Sequence, residues 1–252
     1  MTANFTTLRD YWSGRVAAYS AVNEDELLHG QGKVWTALLK ENLPARPGLR
    51  ILDAGCGPGF FAILMTRCGH DVTAVDCSAP MLAKAQANIG RFCPGGAVHT
   101  AVMDVQQLAL PDQTFDAVLS RNVTWNLECP ESAYAEWLRV LRPGGVLLNF
   151  DANWYAYLFD EVAAACREQD LQAVRERGYE LDDEQTDDSL HGVLKALPLG
   201  RQHRPEWDCR CLSRLGCLDV RCSVSLPEGI MNEYYNTLYA HTPMFMVRGI
   251  KD

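Results

Sequence analysis

The segment from Leu49 to Cys68 constrains the fold of this chain more than any other part of it. Leu49 to Ala54 is a short apolar run typical of a buried strand, and Gly55 to Gly59 interrupts it with three glycines. Phe60 to Cys68 then resumes with helix-forming residues. The order predicts a strand, a tight turn and a helix. Because glycines let backbone amides approach a ligand without clashes of Cβ atoms, we expect a ligand at this turn.

The alternation of strand and helix continues to about residue 150. A second strand spans Asp71 to Asp76, and Ser78 with Pro80 begins a helix that we expect to end at Gly90. The same pattern predicts strands over Ala97–Asp104, Phe115–Ser120 and Gly145–Phe150, with a helix over Glu131–Leu141 and the turn Arg142-Pro143-Gly144-Gly145 before the last of them. This pattern is typical of the α/β class with a doubly wound, mostly parallel sheet.

The alternation of strand and helix stops after the fifth strand. Between Ala152 and Glu206 we expect two helical patterns around an acidic stretch, Glu180 to Asp188, that forms a solvated loop. A helix over Cys209 to Leu215 and a strand over Val220 to Leu226 follow. The last strand, Met244 to Ile250, is expected to pair antiparallel at the edge of a seven-stranded sheet.

The length of 252 residues fits one domain with an inserted cap. We divide it into an N-terminal helical lid (1–40), a ligand-binding core (41–151), a helical cap (152–206) and C-terminal strands that complete the sheet (207–252). The sequence leaves the oligomeric state open.

Charge and composition exclude several classes of function. With 32 acidic and 23 basic residues, the net charge of -9 opposes long-range attraction to nucleic acid. The first ten residues do not resemble an export signal, and no apolar run is long enough to cross a bilayer, so we expect a cytoplasmic protein without membrane contact. Ten scattered cysteines are then expected to be reduced thiols. The spacing of Cys209, Cys211, Cys217 and Cys222 lacks a paired C-x2-C, so no metal is expected.

The glycine spacing indicates the class of ligand. A dinucleotide site has the pattern G-x-G-x-x-G, whereas this chain has G-x-G-x-G and places Phe60 where the third glycine would be. Asp76 ends the second strand, 17 residues after Gly59, where a carboxylate can accept hydrogen bonds from both hydroxyls of a ribose. An adenosine-type ligand is implied.

The residues from Asp53 to Gly59 resemble the first motif of the class I S-adenosylmethionine-dependent methyltransferases, which is a strand followed by D/E-x-G-x-G-x-G. The resemblance covers about Leu49 to Phe150, since Asp104-Val105 and the R-P-G-G turn also fit this family's pattern. It implies a Rossmann-like methyltransferase fold with S-adenosylmethionine as cofactor. The residues expected at the cofactor are Asp53, Gly55, Cys56, Gly57, Gly59, Asp76 at the ribose, Cys77 and Met81 at the adenine, Asp104 and Val105 at the adenine amine, and Arg121.

Aromatic and basic residues near the N-terminus resemble the lid of many such enzymes. Tyr11, Arg15 and Tyr19 are therefore expected to cover the cofactor and meet its carboxylate. The alternative is a helix whose aromatic rings pack on the sheet while Arg15 is solvated.

The loop after the fourth strand, Ser120 to Leu127, lies at the carboxyl edge of the sheet, where open α/β folds bind ligands. It resembles the family's fourth motif in position but lacks the Asn/Asp-Pro-Pro-Tyr/Phe sequence of nucleic-acid and glutamine methyltransferases. We expect Asn122 to position a substrate and Trp125 to form an aromatic wall beside the sulfonium, with ordinary packing as the alternative for Trp125.

Methyl transfer from a sulfonium depends on proximity and desolvation more than on acid-base help, so an obvious base is not required. The sequence thus predicts methyl transfer to a small molecule held between sheet edge, lid and cap, with the acceptor atom left open. Two alternatives remain: a non-catalytic cofactor-binding module with a regulatory role, and a nicotinamide-dependent oxidoreductase.

Overall fold

The computed structural model describes residues 3–181 and 190–252. In these residues seven strands form one sheet of order β3-β2-β1-β4-β5-β7-β6. The strands are β1 (Arg50–Ala54), β2 (Asp71–Asp76), β3 (Val98–Val102), β4 (Phe115–Arg121), β5 (Leu141–Asp151), β6 (Cys217–Ser223) and β7 (Phe245–Lys251). Strands β1 to β5 pair in parallel. The predicted α/β fold with a doubly wound sheet is confirmed.

Helices cover both faces of the sheet. The described helices are α1 (Ala3–Gly14), α2 (Val16–Leu28), α3 (Gln31–Asn42), α4 (Phe60–Arg67), α5 (Ala79–Phe92), α6 (Pro130–Val140), α7 (Glu161–Glu176), α8 (His191–Leu194), α9 (Glu206–Arg214) and α10 (Glu233–Leu238). Neighbouring residues of β1 face opposite cores: Ile51 lies with Trp35 and Phe61, and Leu52 lies with Trp137. Burial on both faces explains why the strands are continuous apolar runs.

The position of the last strand differs from the expectation. Strand β7 is antiparallel, as expected, but it lies between β5 and β6, so β6 forms the edge. The physical reason is burial: Phe245, Met246 and Val247 are all buried, whereas β6 exposes most of its residues. An apolar run without polar alternation belongs inside a sheet.

Three predicted boundaries were also wrong. Helix α5 passes through Gly90 and ends at Phe92, because its apolar face with Leu82 and Ile89 continues to pack beyond the glycine. Strand β5 begins at Leu141 and absorbs the predicted turn as an irregularity in its pairing with β4. The β6 strand starts at Cys217, three residues before the expected position, where it pairs with Lys251 of β7.

Parts of the segments predicted as lid and cap lie near the carboxyl ends of the strands, whereas Trp35, Leu38 and Leu39 of α3 pack in the core beside Ile51. Residues 1–40 contribute α1, α2 and most of α3, and the described part of 152–206 contains α7, α8 and short 3-10 turns without a strand. The predicted acidic loop falls largely on residues 182–188, which lie outside the described residues. Among the described helices, none has the length and apolar character needed to cross a membrane.

Candidate active site

Two adjoining cavities open at the carboxyl ends of β1, β2 and β4. The turn cavity, of about 90 Å³, lies over the glycine turn, and the ring cavity, of about 240 Å³, lies beside it under the lid and cap. Among the described residues, four line both cavities: Trp12, Tyr19, Arg121 and Asn122. The two cavities therefore meet at the end of β4. Open α/β folds bind ligands at this kind of place, where strand order reverses between β1 and β4.

The floor of the turn cavity needs its glycines. Gly55 and Gly57 have φ angles of +74° and +51°, in the left-handed region that side chains rarely adopt. A Cβ on Gly55 would lie 2.4 Å from the Val123 side chain, and one on Gly57 would lie 3.3 Å from the Tyr19 ring. The turn thus presents bare backbone to the cavity, which suits close approach of a ligand.

Asp76 holds this turn and faces the same cavity. Its carboxylate accepts a 2.9 Å hydrogen bond from the Gly57 amide and a 2.8 Å bond from the Ser78 amide. Burial raises the pKa of Asp76 above its ordinary range, although these amide bonds oppose the shift. A carboxylate oxygen can accept more than one hydrogen bond, so acceptor capacity remains for hydroxyl donors.

The far end of the turn cavity is a mixed apolar and polar wall. Cys77, Met81, Asp104 and Val105 all line it, and Met81 is 2% exposed. Burial raises the pKa of Cys77 to about 12, so this thiol stays protonated and presents a small apolar surface. The Asp104 carboxylate accepts a 2.9 Å bond from the Gln106 amide. This wall has the character that a purine ring with an exocyclic amine requires.

In the part of the chain that the structure describes, four of the residues that were expected at the cofactor do not line either cavity. The Asp53 carboxylate points behind the turn and accepts a 2.9 Å bond from the Ala62 amide. Cys56 is buried with its thiol toward the backbone, and Gly59 avoids a contact of 3.2 Å with Ala85 of α5. Tyr11 packs edge-on against Trp12. These side chains shape the turn and the lid, and Arg15 lines the ring cavity instead of the turn cavity.

Helix α1 covers the turn cavity with residues that sequence reasoning missed. Phe5, Leu8, Arg9 and Trp12 line it, at the spacing i, i+3, i+4 and i+7 of one helical face. That spacing is the sequence signal that would have found them. The hydroxyls of Ser13 and Ser78 share a 2.8 Å hydrogen bond, which fixes α1 to the start of α5.

At the junction of the cavities a buried ion pair supports the end of β4. The Arg121 guanidinium donates a 2.9 Å bond to Glu26 of the lid, and it lies 4.7 Å from the Trp35 ring centre and 4.8 Å from that of Phe60. The side chains of Arg121 and Glu26 are 11% and 6% exposed. No sequence pattern identifies Glu26 as a site residue, because its partner Arg121 lies 95 residues away along the chain.

Asn122 follows with a strained backbone. Its φ of +59° is left-handed, which is uncommon for a residue other than glycine and is often found at functional sites. Its amide donates to the Phe150 carbonyl at 2.9 Å, while its buried side-chain Oδ1 has no hydrogen-bond partner among the described residues. Asn122 thus lines both cavities where they meet, with its side-chain oxygen buried.

The ring cavity is bounded mainly by aromatic side chains. Trp125 contacts Trp12 at 6.1 Å and Tyr155 at 5.0 Å between ring centres, and Trp154 contacts Tyr239 at 4.7 Å. Among the described residues, the aromatic lining comprises Trp12, Tyr19, Trp125, Trp154, Tyr155, Tyr157, Tyr235 and Tyr239. Asn122 and Trp125 both line this cavity, and their roles at the substrate and the sulfonium remain predictions.

Comparison with known proteins agrees with this geometry. Residues 52–149 match the methyltransferase domain family. A malonyl-[acyl-carrier protein] O-methyltransferase of Enterobacter lignolyticus is 39% identical over 109 residues, which cover 43% of this chain and 41% of that protein. This chain spans less than half of the length of that curated relative.

Solved structures share the fold over a longer range. Haemonchus contortus phosphoethanolamine N-methyltransferase 2, in complex with phosphomonomethylethanolamine and S-adenosylhomocysteine, is 19% identical with a TM-score of 0.58, covering 85% of this chain and 51% of that one. The [4+2]-cyclase SpnF is 20% identical with a TM-score of 0.58, covering 86% of this chain and 79% of that one. Identities this low show the fold alone.

Proposed function

We propose that this chain, whose residues 52–149 match the methyltransferase domain family, is a class I methyltransferase that transfers the methyl group of S-adenosylmethionine to a small molecule held in the ring cavity. The observation that carries the proposal is the junction at Arg121 and Asn122, where the turn cavity opens directly onto the ring cavity. A cofactor in the first can reach an acceptor in the second.

The residues of the turn cavity fit the cofactor. Asp76 would accept both ribose hydroxyls, since its carboxylate faces the cavity while its two amide bonds fix its orientation. Cys77 and Met81 would flank the adenine, and Asp104 and Val105 would meet its edge. The backbone at Gly55 and Gly57 would lie against the rest of the cofactor, in space that a Cβ would fill.

When bound, the cofactor supplies an electrophilic methyl group on a positively charged sulfur. The protein then has to align the acceptor and exclude water, and such positioning is worth several kcal/mol of the barrier. Trp12 and Trp125 place ring surfaces near the junction, and an aromatic ring face stabilises a cation in a desolvated site. Asn122 lines both cavities, so we expect its side chain to help position the acceptor.

The lining of the ring cavity favours an acceptor with a flat, apolar body. The eight described aromatic side chains are joined by Met231 and Met244, whose thioethers pack well on rings. The volume of about 240 Å³ equals the liquid volume of about eight waters, which limits the buried part of the acceptor to a small group. We also propose that nucleic acid is not a partner, because the net charge of -9 opposes attraction to a polyanion.

Calorimetric titration of the full chain with S-adenosylmethionine, S-adenosylhomocysteine and NAD tests the cofactor. We expect micromolar dissociation constants for the first two and no binding of NAD. Asp76→Ala should abolish binding, whereas Asp71→Ala, an exposed carboxylate at the opposite end of the same strand, should leave it unchanged. Turnover is then measured with radiolabelled cofactor against phenols, amines, thiols and carboxylates.

A second candidate is a domain that binds the cofactor without methyl transfer. The shared fold of the [4+2]-cyclase SpnF favours keeping it, because it shows that the fold also carries another reaction. Tight cofactor binding without label transfer to any class of acceptor would support this candidate, while transfer to one class would exclude it.

A further inference from the structure

A cluster of buried charges lies beneath the ring cavity. It consists of Arg204 with Asp151 and Asp208, whose side chains are 1%, 0% and 0% exposed. Arg204 donates from Nη1 to Asp151 at 2.9 Å, and from Nε and Nη2 to Asp208 at 2.9 and 2.8 Å. None of these residues lies in the turn cavity among the described residues.

The cluster joins three separate parts of the fold. Asp151 ends β5, Arg204 lies at the end of the cap segment, and Asp208 is in the first turn of α9. Thr124, in the loop after β4, completes it: its hydroxyl accepts from Arg204 at 2.6 Å and donates to Asp151. The single cation therefore holds two carboxylates and the β4 loop at once.

Asp151 extends the cluster to the wall of the ring cavity. One carboxylate oxygen accepts a 2.9 Å bond from the backbone amide of Trp125, and the other accepts a 3.0 Å bond from the Trp154 indole. The Trp125 indole in turn donates a 3.1 Å bond to the Asn122 carbonyl. A continuous chain of hydrogen bonds thus runs from the cap to the residue at the junction of the two cavities.

An ordinary stabilising role does not account for this arrangement. Buried ion pairs add little stability compared with well-packed apolar residues, because desolvation offsets the attraction between the charges. A fixed guanidinium fork does, however, impose direction on the carboxylates that it binds. Apart from its bonds with Arg204 and with the amide of its neighbour Ala152, Asp151 is bonded to Thr124 and Trp125 of the β4 loop and to Trp154.

We propose that Arg204 is a positioning residue: by orienting Asp151, it fixes Trp125 and Trp154 and thereby couples the cap to the wall of the ring cavity. Its consequence for acceptor recognition rests on the proposed function; the coupling itself does not. A change in the cap near Arg204 would then alter acceptor binding while the turn cavity stays as it is.

Fluorine NMR of the full chain labelled with 5-fluorotryptophan tests the coupling directly. The chain has six tryptophans, and six Trp→Phe variants assign the resonances. Arg204→Lys keeps the charge that balances the two carboxylates, but a single ammonium cannot reproduce the fork. We expect the Trp125 and Trp154 resonances to shift or broaden, while that of Trp35, whose indole makes no hydrogen bond to the cluster among the described residues, stays in place.

Arg139→Lys is the matched control. Arg139 also makes several bonds, to Glu136, Asp112 and the carbonyls of Leu108 and Leu110, and it lies away from the ring cavity. We expect this variant to leave Trp125 and Trp154 unmoved. Unchanged Trp125 and Trp154 resonances in folded Arg204→Lys would overturn the proposal, as would equal shifts in the control.

A second variant covers loss of folding. If Arg204→Lys does not fold, Thr124→Val removes the hydroxyl that bridges Arg204 and Asp151 and that also accepts from Asn149, and it should shift the Trp125 resonance. An unshifted resonance in this variant would also overturn the proposal.

The activity arm separates this inference from the proposed function. With an acceptor found by the labelled-cofactor assay, the KM for the acceptor should rise about 10-fold in Arg204→Lys. The Kd for S-adenosylhomocysteine should stay within twofold, and an equal rise in both constants would contradict a positioning role at the ring cavity. Absence of turnover in the unaltered protein would count against methyl transfer alone, since the NMR result decides the coupling.

Discussion

The carboxyl group of Asp53 makes the stability of this protein depend on pH. The residue is 2% exposed, and burial together with the nearby charge of Asp76 raises its pKa to about 7 from an ordinary value of 3.8. The hydrogen bond from the Ala62 amide opposes the shift without cancelling it. Between these two pKa values the folded chain keeps a proton that the unfolded chain has lost.

The sign and size of the effect follow from linkage. Because the folded state binds more protons than the unfolded state in this range, the free energy of unfolding falls as the pH rises from about 4 to about 7. For a shift of this size, the contribution of Asp53 falls by about 2.5 kcal/mol between pH 5 and pH 8. Asp53→Asn removes the titration and keeps an oxygen that can accept from the Ala62 amide.

Urea unfolding at pH 5 and pH 8 measures this difference. Other groups also titrate, so the informative quantity is the change in unfolding free energy from pH 5 to pH 8 in the unaltered chain minus that in Asp53→Asn. We expect the unaltered chain to lose about 2.5 kcal/mol more than the variant. A difference below about 1 kcal/mol, or one of opposite sign, would refute the assignment of a raised pKa to Asp53.

Three further predictions follow from single contacts. Asp76→Asn should weaken S-adenosylhomocysteine binding about 10- to 100-fold in calorimetry, because charged acceptors contribute about 1.5–3 kcal/mol; an unchanged Kd would remove this residue from the ribose site. Gly55→Ala should lower the free energy of unfolding by about 1–3 kcal/mol, because the added Cβ would overlap the Val123 side chain. Gly90→Ala should raise the free energy of unfolding by about 0.5–1 kcal/mol, because alanine favours the helix and the space around this position in α5 is open. The reverse order of the two midpoints in urea would contradict this account. Ser13→Ala should speed cofactor release about fivefold in stopped-flow measurements, since it removes one hydrogen bond of about 1 kcal/mol between α1 and α5; an unchanged rate would show that this bond does not hold the lid.

The cofactor half of the site could be predicted from sequence because its signals are local. The apolar run of β1, the glycine turn and Asp76 lie within about 30 residues, and the structure brings them together at the turn cavity. The spacing of Phe5, Leu8 and Trp12 along α1 is likewise a local signal, typical of one face of a helix. Local glycine spacing has a direct physical meaning, since only certain backbone conformations allow the turn.

The remaining features depend on contacts between distant segments. The apolar run of β7 favours a place inside the sheet, but the strand that pairs with its outer edge, β6, comes from a separate segment and had to be identified as well. Glu26 has the sequence context of an exposed helical glutamate, and only its contact with Arg121 buries it. Arg204 likewise has no sequence signal for its burial, which depends on contacts with Asp151, 53 residues away, and Asp208, 4 residues away. Charge burial of this kind is a tertiary property.

The topology explains why the lining of the turn cavity could largely be predicted from the sequence, whereas that of the ring cavity could not. The chain leaves β1 toward β2 and β3 and returns to β4 on the other side of β1, so the loops after β1 and β4 diverge and leave a crevice between them. The turn cavity is built from the loops after β1, β2, β3 and β4, all within residues 55–127, together with α1 and Tyr19 above them. The ring cavity instead combines the lid, the β4 loop, the cap and α10, which are far apart in sequence. Substitutions in the cap and in α10 should therefore change the KM for the acceptor and leave the Kd for the cofactor unchanged. These segments line the ring cavity and, among the described residues, do not line the turn cavity.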